Sequence, residues 1–175
     1  DIIVDAALSR LPARMEHFLV QPQRCPSTAS SSPCVRVLLD GAHVSDSVRR
    51  VLRETKQSLG ERPVILLALG SEKDSTGICR AIFEATPERV FVTRVSTDAR
   101  YLSAAVLGVE VASAGIPNPV VVDDPEEALN AALRHAAKAE SNLVVIGSLH
   151  LAGRLRPALA ARHVPDNDME RFGAQ

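Results

Sequence analysis

Along most of the chain, short β-branched apolar runs alternate with longer stretches whose apolar residues recur at helical spacing. The runs are Val35–Asp40, Val64–Leu69, Val90–Val95, Val120–Val122 and Leu143–Ile146. They are nearly continuous in apolar residues rather than alternating, which predicts strands covered on both faces. The stretches between them predict helices. In the first, Val48, Val51, Leu52 and Leu59 share one stripe, Ser45 or Ser47 can cap the start, and Gly60 suits the end. A second helix is expected from Ser75 or Thr76 to Ala85, stopping before Pro87, and a third over much of Asp98–Ala114. Asp124-Pro125 is a cap followed by proline at the first helical position, opening a fourth helix that continues to about Ala139. A fifth follows Gly147-Ser148.

This order predicts a Rossmann-like α/β domain, an open, mainly parallel sheet of five to six strands with helices on both faces. Five such runs are too few for an eight-stranded barrel. Open α/β sheets bind ligands beyond the carboxyl ends of their strands, at a topological switch point. The candidate positions are therefore Asp40–His43, Gly70–Asp74, Val95–Arg100 and Gly147–His150. Residues 1–34 read as a leading segment with an Arg14-containing turn, a strand and the Pro/Ser-rich surface loop Gln21–Pro33. The domain proper is expected over 35–163, followed by a polar, frayed tail at 164–175. The chain starts at Asp1 rather than Met, and Ile2–Leu8 reads as an element already under way. It is therefore expected to be the excised or processed end of something longer.

Composition narrows the function. Twenty Lys+Arg against 21 Asp+Glu leave a formal charge of −1, which supplies no general pull on nucleic acid or anionic lipid. Apolar runs such as Val64–Leu69 are far too short to span a bilayer. Three cysteines do not make a disulfide scaffold, and Cys25 and Cys34 have no His or second Cys pair at zinc spacing. A reducing, intracellular compartment is the simpler expectation.

The first run ends in Leu39-Asp-Gly-Ala-His43. An Asp at a strand's carboxyl end can accept from ribose hydroxyls, Gly41 allows a tight turn, and His43 precedes a helix whose N-terminus attracts anions. The plainer reading makes Asp40 a turn cap and His43 an ordinary loop histidine. A haloacid-dehalogenase-like phosphatase needs a second Asp two positions later, where Ala42 stands, so that chemistry is excluded. Lys73, in Glu72-Lys-Asp74, is one of three lysines, and a lone loop lysine is ordinarily just solvated. Ser148 lacks the second glycine of a nucleophile elbow, leaving it a helix cap or a ligand hydrogen-bond donor. No G-x-x-x-x-G-K-[ST] loop and no G-x-G-x-x-G after a strand occurs, so the chain brings no phosphate cradle of its own.

The order Pro12-Ala-Arg14-Met-Glu16, Leu39-Asp-Gly-Ala-His43, Glu72-Lys-Asp74 and Gly147-Ser-Leu-His-Leu151 resembles the C-terminal domain of folylpolyglutamate synthase/dihydrofolate synthase, in the Mur ligase superfamily. The likeness extends from about Leu8 to Arg156 and is most specific at D-G-A-H and G-S-L. Departures are Ala13 where the family often has glycine, Val44-Ser45 where many bacterial members have Asn-Pro, and a longer Gln21–Pro33 loop. The resemblance implies a ligase lobe in which ATP activates a folate-side carboxylate as an acyl phosphate for attack by L-glutamate. It implies cofactor-binding roles for Arg14, Asp40 and His43, with His43 also catalytic, and substrate-side roles for Ser148, Lys73 and Asp74. Arg100 could meet a carboxylate or simply face solvent. ATP, L-glutamate, a folate or dihydropteroate acceptor and Mg²⁺ are the implied ligands, with the metal and the acceptor held mainly by an N-terminal lobe. A monomer in the cytoplasm or an organelle is expected, with no residue of this chain holding metal. Other readings are a Mur-type lobe serving another acceptor and a non-catalytic nucleotide-binding or scaffold module.

Overall fold

The computed structural model describes residues 12–22 and 33–164. Among them lie six strands: β1 (Glu16–Val20), β2 (Val35–Leu39), β3 (Val64–Leu67), β4 (Arg89–Val92), β5 (Val120–Val121) and β6 (Leu143–Ile146). The helices are α1 (Ser45–Leu59), α2 (Ser75–Glu84), α3 (Ala104–Ser113), α4 (Pro125–Lys138) and α5 (Leu149–Ala160). One sheet runs in the order β1-β2-β6-β3-β4-β5. It is parallel except for β1, which pairs antiparallel with β2, Glu16 opposite Leu39 and Val20 opposite Val35. This is the expected Rossmann-like α/β architecture. Ile2–Leu8, Cys25 and most of the Gln21–Pro33 loop lie outside the described residues.

Side chains alternate across a strand, so a strand with both faces covered must be apolar at every position. In β3, Val64 and Leu66 enter one core while Ile65 and Leu67 enter the other. The first core is closed by α4 and α5 through Leu129, Leu133, Leu151 and Leu155. The second is closed by α1, α2 and α3 through Val48, Leu52, Ile78, Ile82 and Leu107. The outer side of β1 is covered in turn. Val20 bridges His163, Val164 N–H donates to Leu19 O at 2.8 Å, and Leu19 N–H donates to His163 Nδ1 at 3.0 Å. An edge strand so occupied offers little template for another chain.

Several boundaries differ from expectation for local reasons. Helix α1 starts at Ser45 with Val44 as N-cap; Ser47 reaches back from inside the first turn, donating to Val44 O at 2.9 Å. Helix α2 starts at Ser75, as expected, and is capped by Asp74, which accepts from Gly77 N–H at 2.9 Å. The third helix begins only at Ala104, capped by Ser103, because Asp98 folds onto Arg100 and Tyr101 bridges Gly70. β3 and β4 end at Leu67 and Val92, short of the expected Leu69 and Val95, where the chain turns toward the loops.

Cys79 lies fully inside the second core, and burial, with Glu110 and Asp74 nearby, pushes its thiol up to about 12. Only the thiolate is a nucleophile. In the native chain at pH 8, Cys79 should resist iodoacetamide and become reactive in denaturant. Intact-mass and peptide mapping check this; rapid native alkylation at Cys79 would contradict the packing.

Candidate functional site

β6 sits between β2 and β3, yet its outgoing helix α5 lies on the opposite face from α1 and α2, which follow those neighbours. The chain diverges at the carboxyl end of β6, which is where an open sheet leaves a crevice. There a cleft of about 300 Å³ is lined by His43 after β2, residues 70–73 after β3, Arg100 and Tyr101 after β4, and residues 147–150 after β6.

Backbone bonds fix its far wall: Ser71 N–H donates to Arg100 O at 2.9 Å and Leu102 N–H to Leu69 O at 3.0 Å. Lys73 Nζ stands 3.1 Å from Glu72, and Arg100 Nη2 stands 2.9 Å from Asp98. Tyr101 meets His150 edge-on, with ring centroids 5.8 Å apart, across the mouth. Ser148 caps α5, its Oγ accepting from Leu151 N–H at 3.3 Å. His43 Nδ1 lies 2.8 Å from Gly41 O. A carbonyl only accepts, so this contact suits a tautomer with the proton on Nδ1, in which Nε2 faces away from that carbonyl.

Two glycines make the arrangement possible. Gly147 has φ +103°, and a Cβ there would stand 2.5 Å from Ala68 O. Gly41 does not have positive φ, so tight turning is not its reason. Leu149 occupies the space its Cβ would need, and this docks the start of α5 onto the loop that leads to His43.

The structure therefore brings His43, Lys73 and Ser148 together, with Arg100 beside them. Asp40, at the end of β2 beside this group, is 5% exposed and does not line the cleft. Its oxygens accept from Met15 N–H (2.8 Å) and Ala42 N–H (2.7 Å). Arg14 is exposed on the turn so held, also outside the cleft lining. Asp74 is engaged as the α2 cap. Sequence reading missed Tyr101, one residue beyond a flagged window, and gave no role to His150, which lay within one. Among the described residues no group of three or more His, Cys, Asp or Glu could hold a metal ion.

Beside the Arg14 turn, Glu16 accepts from Arg156 Nε at 3.0 Å through both oxygens, and from Ala13 N–H at 3.1 Å. Burial pushes the Glu16 carboxyl up, but the Arg156 hydrogen bonds, the Ala13 amide and the Arg156 charge outweigh it, leaving the value below the ordinary 4.5. A depressed folded-state value means the pair's stabilisation is present above about pH 4.5 and lost as pH falls through the folded-state value. Thermal melts of wild type and Glu16→Gln should therefore differ at pH 7 and converge toward pH 3. A constant gap would exclude ionisation of Glu16 as the cause.

The sequence profile of the Mur ligase, glutamate ligase domain family matches residues 24–149. No curated protein matches the sequence. Among solved structures, folylpolyglutamate synthase of Mycobacterium tuberculosis, complexed with ADP and AMPPCP, superposes with TM-score 0.70 at 21% identity, over 87% of this chain and 33% of that one. Folylpolyglutamate synthase of Thermotoga maritima gives 0.67 at 24% identity, over 91% and 33%. The bifunctional folylpolyglutamate synthase/dihydrofolate synthase solved with Mn, AMPPNP and L-glutamate bound gives 0.63 at 20%, over 87% and 32%. The chain thus spans about a third of the length of the solved proteins it resembles.

Proposed function

The chain belongs to the Mur ligase glutamate ligase domain family, and from that membership we propose that it is the C-terminal lobe of an ATP-dependent folate–L-glutamate ligase. The observation that carries the proposal is the cleft at the β6 switch point, where His43, Lys73, Arg100 and Ser148 face one small volume. Phosphate and carboxylate ligands suit such a set of cations and donors. The similar fold of proteins solved with nucleotide analogues and with L-glutamate supports the same reading.

In this proposal the folate-side carboxylate takes the γ-phosphoryl group of ATP, the bond from that group to the β-phosphate oxygen breaks and ADP leaves, and the lobe presents glutamate to the acyl phosphate so formed. Lys73 and Arg100 are each held by one neighbouring acid, Glu72 and Asp98, which an incoming carboxylate can replace. His43, in the tautomer with its proton on Nδ1, would take a proton from the glutamate ammonium at Nε2. The amine then bonds to the acyl carbon, the C–O bond to phosphate breaks, and inorganic phosphate leaves carrying the second N–H proton, so that one N–H remains on the amide. Closure of the lobe keeps water from the acyl phosphate. The phosphate cradle, which this sequence lacks, and any magnesium belong in this account to a second lobe, as does most of the acceptor's binding surface.

The test is glutamate incorporation into a folate acceptor with ATP and Mg²⁺. The 175-residue chain alone should show none, and should bind ATP only at about millimolar strength, about −4 kcal/mol, because it offers one wall of the site. The same chain joined to a P-loop lobe should turn over. Ligation by the lone chain, or micromolar ATP affinity, would overturn the two-lobe account.

A further inference from the structure

At the amino ends of β3 and β4, the end of the sheet away from the cleft, α1 and α2 border a second depression of about 270 Å³. Its floor is apolar: Leu52 and Ala81 are buried side chains of the two helices, and Pro63 closes it from the loop before β3. Its rim is basic. Arg49, Arg53 and Lys56 follow one another at i, i+4 and i+7 on α1, a single stripe of the helix, and Arg62 joins them from the loop. The loop is held from behind, since Pro63 O accepts from Glu88 N–H at 3.0 Å and Arg62 O from Ser141 Oγ at 2.8 Å.

Three of these cations have carboxylate partners. Arg49 Nε stands 3.1 Å from Glu84, Lys56 Nζ 2.8 Å from Glu61, and Arg62 Nη2 2.8 Å from Glu88. The side chains of Glu84 and Glu61 are 45% and 71% exposed, and ion pairs so open to water are worth little, so another anion can replace them. Arg53, between Arg49 and Lys56 on the stripe, has no hydrogen bond or ion pair among the described residues. Solvation alone accounts for cations on a helix face, but not for an apolar floor beneath them. A concave, mostly apolar lining with a few charged groups is how proteins hold small organic ligands.

We propose that this depression is a second ligand site, separate from the cleft, which binds a small organic anion. The ligand's flat apolar body lies on Leu52, Pro63 and Ala81, and its carboxylate or phosphate group meets Arg53, with Arg49 and Lys56 on either side. The volume is below the range usual for drug-sized ligands, which limits the body to about one ring. A guanidinium pairs with carboxylate and phosphate alike through parallel N–H bonds, so the experiment has to tell the two apart. Nothing in this site depends on the ligase reading above.

Because the cleft also offers cations, binding must be read residue by residue. The test is an amide-resolved NMR titration of the 175-residue chain with isophthalate, phenyl phosphate, inorganic phosphate and neutral benzamide. Isophthalate, phenyl phosphate or both should shift the amides of residues 52–62 and 81–86, with a Kd of about a millimolar or below. The tighter of the two identifies the anionic group. Arg53→Ala should weaken that binding about tenfold, the size of one charge-assisted hydrogen bond. Arg53 is exposed, so the variant should fold as the wild type does. Arg50→Ala removes a neighbouring α1 cation outside the depression and should leave binding unchanged. Shifts confined to cleft residues 70–73 and 147–150, or none with either aromatic anion, would overturn the proposal. So would equal weakening by Arg50→Ala, or binding of inorganic phosphate or benzamide as tight as that of the aromatic anions.

Discussion

Replacing His43 by Ala in a ligase carrying this domain is expected to lower turnover by about 10²–10³, the size seen when one preorganised group is lost from a transition state. The imidazole is oriented before substrate arrives: Nδ1–H is fixed on Gly41 O at 2.8 Å, and Gly41 is itself pinned by its amide bond to Ala13 O. On the proposed mechanism an alanine removes the group that takes the ammonium proton, and it opens no core, since His43 is only half-buried. The melting temperature of the isolated domain should therefore change little. A plain turn residue would behave in the opposite way, losing stability while a folded mutant kept its rate. Turnover and thermal unfolding measured on matched His43→Ala preparations separate the two. Near-normal turnover in a well-folded variant would remove His43 from the mechanism.

The largest stability effect is expected from Gly147→Ala, which should cost about 2–4 kcal/mol through backbone strain and overpacking. An L-residue at φ +103° is strained wherever it stands, and here its methyl would meet Ala68 O at 2.5 Å and Leu67 Cδ1 at 2.7 Å. Neither neighbour can retreat easily, because β3 and β6 are paired along their length and buried on both faces. For a domain of this size the melting temperature should drop by roughly 4–16 °C. The same shift moves Ser148 and the start of α5, so turnover in the ligase should fall with it. A melting temperature within about 1 °C of wild type would mean that the strand-to-helix turn relaxes more freely than its packing allows.

Much of the fold was legible in the residues themselves. A strand between two helical layers has to be apolar on both faces, so Val64–Leu67 and Leu143–Ile146 announce themselves as continuous runs. Asp124-Pro125 and Gly60 mark helix ends through local backbone chemistry that needs no tertiary partner. Candidate loops followed from the rule for open sheets, and His43, Lys73 and Ser148 do meet there. What periodicity cannot carry is the identity of a long-range partner. Nothing local in β6 says that it inserts between β2 and β3, or that Leu149 fills the space beside Gly41. Asp40 shows the difference most plainly. Its type and position placed a carboxylate at a strand's carboxyl end, but the amides its oxygens meet are set by the fold, and the Met15 amide comes from a turn 25 residues earlier. The sequence by itself determined the elements and the chemistry available at their ends. Only the packing of the sheet decided which of those groups reach the cleft and which hold others in place, because that choice is set by contacts between segments far apart in the chain.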